Sequence, residues 1–148
     1  MKKFSYDTKK HNLALPVKEI FGCDDLSFLH RKLPKHIKYD SLHKLGEDNK
    51  TWYHEKFYEP INNGNSVFQA EYNLFIKNVI APALGIKKFL YQKSPTFRVH
   101  APGNVAVGGW HKDSDYNHSK HELNIYLPLS SAYGNNTVWT VTKPGLED

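Results

Sequence analysis

The chain has 148 residues, a formal net charge of +5, 39% hydrophobic and 14% aromatic residues. That is enough apolar material for one domain with a core, and it excludes an intrinsically disordered chain. The basic excess lies mostly in residues 1–56 and forms no run of consecutive basic residues interleaved with aromatics, so nucleic acid is not an expected partner.

Cys23 is the single cysteine, which rules out an intramolecular disulfide and is compatible with a reducing compartment. No apolar run follows Met1-Lys2-Lys3, and no stretch approaches membrane-spanning length, so no membrane partner is expected. The expectation is a cytoplasmic protein acting on a small molecule, read as one domain over 1–148. Its mainly helical part spans 1–90, and the first strands of its core span 91–148.

Residues 1–15 read as an arm leading into a first helix. Residues 17–33 carry a rough helical stripe (Val17, Ile20, Phe21, Phe28, Leu29, Leu33), interrupted by Gly22 and closed by Pro34, with Asp24 or Asp25 placed to cap a restart. Residues 36–60 are polar and aromatic, and no periodicity assigns them. A turn at residues 62–65 precedes Ser66, an N-cap candidate for the clearest helix. Its Phe68, Tyr72, Phe75, Ile76 and Val79 fall at i, i+4, i+7, i+8 and i+11. This stripe is expected to pack in the core against one face of a sheet. Pro82 bends or ends the helix and Gly85 suits its stop.

From residue 96 onward the pattern changes to period two. Phe97 and Val99 alternate with Thr96, Arg98 and His100. Val105, Val107, Gly109 and His111 fall in phase after a Pro-Gly turn. Leu123, Ile125 and Leu127 alternate with Glu122, Asn124 and Tyr126. A turn at residues 133–136 precedes the β-branched run carrying Trp139. Short alternating runs separated by turns predict antiparallel strands in a sandwich or jelly-roll.

Within this region, His111 and Asp113 are two residues apart, so on a strand both side chains share a face. An imidazole nitrogen and a carboxylate so placed are two-thirds of the two-histidine, one-carboxylate set that holds non-heme Fe(II). The ordered motifs F-R-V-H (97–100), P-G-N (102–104), W-H-x-D (110–113), N-I-Y-L-P-L (124–129) and N-T-V-W (136–139) resemble the Fe(II)/2-oxoglutarate-dependent dioxygenase superfamily. Within it they resemble most the oxygenase-like branch of streptomycin biosynthesis.

The resemblance covers about the last third of the chain. It implies an α+β architecture, with N-terminal helices packed on a double-stranded β-helix (a jelly-roll or cupin-like core) that is incomplete at the C-terminus. It implies His111 and Asp113 as iron ligands. It further implies a second iron histidine and a 2-oxoglutarate-binding arginine downstream of the Trp139 strand, where this chain has already ended at Asp148. The implied reaction couples oxidative decarboxylation of 2-oxoglutarate by O2 to hydroxylation of a small metabolite, with Fe(II) and 2-oxoglutarate as cofactors.

Arg98, whose guanidinium suits bidentate binding of a carboxylate, and Asn124 and Tyr126, on the polar face of their strand, are the candidate 2-oxoglutarate-pocket residues. His118 and His121 follow closely and offer a local metal site, although residues 117–120 read as a polar loop. Two alternatives stay open. One is a non-catalytic β-helix binding module. The other is a cupin-like metal enzyme, independent of 2-oxoglutarate, with His118 or His121 as third ligand. His11, His30, His36, His43 and His54 are expected to be surface or packing residues.

Overall fold

The fold follows from a computed structural model, which describes residues 3–37, 50–102, 115, 118, 119 and 121–140. Helix α1 spans Ala14–Phe21 and ends where Gly22 enters the left-handed region at φ 58, its amide bonded back to the Glu19 carbonyl. Glycine adopts that conformation without the steric cost of a Cβ. The chain restarts as a 3-10 segment, Leu26–Lys32. Asp25 caps it, its carboxylate accepting from the Ser27 amide at 2.9 Å, as the spacing predicted. That bond, before any other influence, holds the Asp25 carboxyl below its ordinary value.

Helix α2, Trp52–Asn62, lies in the stretch that no sequence period assigned. Helix α3, Val67–Phe75, starts where Ser66 Oγ accepts from the Gln69 amide at 3.1 Å. It runs on through a π-helical turn, Ile76–Ile80, into α4, Ala81–Leu84, and stops at Gly85, φ 65.

The core belongs to these helices. Leu13, Val17, Phe21, Cys23, Leu29, Tyr53, Phe57, Phe68, Phe75, Ile76 and Ile80 form one buried cluster. α1 packs against both α2 and α3. Phe57 is fully enclosed and meets Phe68 edge-on at 4.8 Å between ring centroids. Tyr6, from the N-terminal arm, covers Phe75 at 4.8 Å. Each such buried aromatic or aliphatic side chain contributes roughly 1.5–3 kcal/mol of transfer free energy. Among the described residues, no helix is long and apolar enough to cross a membrane.

The expected double-stranded β-helix is corrected by this structure. Among the described residues there are helices, short 3-10 turns and extended segments, and no strand is paired into a sheet. The α3 stripe accordingly packs on α1 and α2 rather than on a sheet face. At residues 95–99 the alternation is real, since Phe97 and Val99 pack against the helical core while Thr96, Arg98 and His100 are exposed. Its cause is different. The polar backbone groups of Phe97 are bound by side chains of α2, which leaves neither its N–H nor its C=O for a ladder bond. At residues 122–127 the alternation does not match burial. Leu123 and Ile125 are exposed, and only Leu127, with Leu129 beyond it, reaches the core.

Candidate functional site

The best-built polar arrangement in the described residues lies where α2 meets the non-helical segment of residues 92–97, which bends at Lys93–Ser94. Thr51 adopts an extended conformation and caps α2, and the third residue in, His54, turns back to it. His54 Nδ1 lies 3.3 Å from the Thr51 amide nitrogen and 2.9 Å from Thr51 Oγ1, while Nε2 lies 3.0 Å from the Phe97 carbonyl oxygen. A carbonyl only accepts, so Nε2 carries the hydrogen. An amide N–H only donates, so Nδ1 offers its lone pair. This network assigns His54 as the neutral Nε2–H tautomer, 3% exposed, filling the place that Glu or Gln takes in an ordinary capping box.

Four residues along the same helix face, Tyr58 grips the segment again. Its hydroxyl donates to the Pro95 carbonyl at 3.0 Å and accepts from the Phe97 amide at 2.8 Å. Helix α3 adds three more contacts, from Gln69 Nε2 to the Lys93 carbonyl at 2.7 Å, from the Tyr72 hydroxyl to the Gln92 carbonyl at 3.0 Å, and at Gln69 Oε1, which accepts from the Ser94 hydroxyl at 3.4 Å. Burial, then the neighbouring Tyr91, holds the Tyr72 phenol above its ordinary value. The Phe97 ring lies parallel to that of Phe57, centroids 4.1 Å apart at 9°.

On the outward side of α2, an open groove of about 670 Å³ is lined by Lys50, His54, Glu55, Tyr58, Glu59, Asn62 and Asn63. Its openness to solvent differs from the enclosing walls usual for small-molecule sites.

The candidates from sequence fall as follows. His111 and Asp113 lie outside the described residues. Arg98 is exposed, on the outward side of the gripped segment. Asn124 and Tyr126 are both exposed, Tyr126 by half. His118 Nδ1 lies 2.9 Å from the Glu122 carboxylate one helical turn's spacing away, both partly exposed, and His121 is exposed with its amide on Ser119 Oγ. Among the described residues, no three His, Cys, Asp or Glu side chains come together in a way that could hold a metal. Trp139 is 62% exposed, its indole N–H donating to the Gly134 carbonyl at 3.0 Å. His11 and His54 are both buried, as packing residues, His30 is partly exposed and His36 exposed, and His43 lies outside the described residues.

Sequence reasoning missed the paired role of His54 and Tyr58. The usable signals were a threonine three residues before a histidine and a tyrosine four residues after it. Together these make a capping box followed by a second polar group on the same face.

No family model matches the chain, and no solved structure matches it. The chain is similar to a streptomycin biosynthesis protein. The relative is StrG of Streptomyces griseus, 33% identical over 142 residues, which are 96% of this chain and 65% of the relative. The chain thus spans just under two-thirds of the length of the relative it matches.

Proposed function

We propose that this chain serves in small-molecule biosynthesis as an Fe(II)- and 2-oxoglutarate-dependent oxygenase, with His111 and Asp113 as two of the iron's protein ligands. The observation that carries the biosynthetic role is the likeness to StrG along 96% of the chain, well beyond the span of any one motif. The finer assignment rests on the residues of W-H-x-D, whose spacing and donor types suit one Fe(II) ion.

When bound, the metal and keto acid would supply the oxidising chemistry, and the protein's part would be orientation and exclusion of water. For the helical part that contribution is concrete. A buried aromatic core and the grip of α2 and α3 on residues 92–97 fix the backbone that carries Arg98. Arg98 remains the proposed partner of a 2-oxoglutarate carboxylate, with Asn124 and Tyr126 as further pocket residues.

Anaerobic titration of the full-length protein with Fe(II), with and without 2-oxoglutarate, tests the reading. The visible charge-transfer absorption of an iron–keto acid chelate should form in the wild type and vanish in His111→Ala and Asp113→Asn, while His118→Ala and His121→Ala retain it. Wild-type absorption in Asp113→Asn would refute the W-H-x-D assignment.

A further inference from the structure

We propose that residues 92–97 are a docked strap, a non-helical segment bent at Lys93–Ser94 that opens from the helices as a unit of its own without unfolding them. The proposal stands apart from the oxygenase reading.

Three observations carry it. First, the segment is attached by side chains. Tyr72, Gln69, Tyr58 and His54 contact the carbonyls of Gln92, Lys93, Pro95 and Phe97, and the Phe97 amide donates to Tyr58. Among the described residues no backbone–backbone hydrogen bond joins residues 86–102 to the rest of the chain, so the strap can lift without breaking a helix or a ladder. Secondly, its attachment is concentrated. The Tyr58 hydroxyl alone supplies two of six bonds, the sixth running from the Ser94 hydroxyl to Gln69 Oε1 at 3.4 Å. The principal apolar anchor is one ring, Phe97, stacked on Phe57 and, at 6.1 Å and 16°, on Phe21. Thirdly, it is bounded by separate anchors, since Phe89 before it and Val99 after it each pack against the helical core.

Segments with few buried contacts and isolated hydrogen bonds populate the low-free-energy end of native-state opening, whereas enclosed core helices exchange near the global limit. Opening of this strap uncovers the ring face of Phe57, which is otherwise fully enclosed, and moves Arg98 with it.

Native-state amide hydrogen exchange on the full chain at low, rising denaturant is the test. The Phe97 amide should exchange through a denaturant-insensitive local opening, at least about tenfold faster than the amides of Phe57 and Phe75. Tyr58→Phe keeps the ring and deletes both hydroxyl bonds. It should accelerate Phe97 exchange by about tenfold or more and leave the α3 amides unchanged. Exchange of Phe97 with the rate and denaturant slope of Phe57 would overturn the proposal, as would equal acceleration of all three amides by Tyr58→Phe. Should the variant fail to fold, the denaturant series on the wild type decides alone.

Discussion

Replacing His54 by alanine tests the α2 junction most sharply, because one side chain holds both the helix start and the non-helical segment. Losing Nδ1 removes the acceptor for the Thr51 amide, a capping loss of about 1 kcal/mol. Losing Nε2–H leaves the part-buried Phe97 carbonyl without that donor, a further cost of about 1–3 kcal/mol. Taken as additive the two terms come to roughly 2–4 kcal/mol, an upper range because they share a neighbourhood. For a chain of this size that corresponds to a fall in Tm of roughly 5–15 °C, read by calorimetry or far-UV circular dichroism. His54→Gln should lie between the two, since glutamine at this helix position can still accept from the Thr51 amide but does not reproduce the imidazole's reach to Phe97. A His54→Ala protein within about 0.5 kcal/mol of wild type would refute the two-sided role, because surface changes away from such features fall in that range. A glutamine variant no better than alanine would remove the capping part of the argument.

Other outcomes follow from the same packing. Phe57→Ala, at a fully enclosed ring, should cost about 3–5 kcal/mol in denaturant unfolding, whereas Trp139→Ala, at a ring 62% exposed, should cost well under half of that. Gly22→Ala meets open space but is forced to φ 58, so it should lose roughly 1–2 kcal/mol through backbone strain alone. Asp25 ionises more readily folded than unfolded. Its stabilisation is therefore present above the unfolded carboxyl value and lost as pH falls through the lowered folded one. Melts in acid should show this component in wild type and not in Asp25→Asn.

The helices were legible in proportion to how cleanly their apolar residues repeat. α3 and its Ser66 cap could be read directly, and so could the Gly22 break and the Asp25 restart. α2 could not, because it is a polar helix. Its buried residues, Tyr53, His54 and Phe57, include a histidine whose Nε2 bonds to distant chain, and its Pro60 reads as a breaker. The period-two runs misled for a physical reason. Alternation reports an extended backbone with one side covered, and says nothing of what its N–H and C=O groups bind. At Phe97 they bind Tyr58 and His54, and Leu123 and Ile125 alternate with no burial behind them. Of the site, His111 and Asp113 were legible only as chemistry. Arg98 was legible as an outward residue, while the side chains that hold its segment come from a helix some 40 residues upstream.

The most direct measurement is release of labelled CO2 from 1-carbon-labelled 2-oxoglutarate by the full-length protein with Fe(II) and O2. The oxygenase assignment predicts release by the wild type, by His118→Ala and by His121→Ala, and background release from His111→Ala and Asp113→Asn. A wild type that releases none, or an Asp113→Asn protein that matches it, would contradict the assignment.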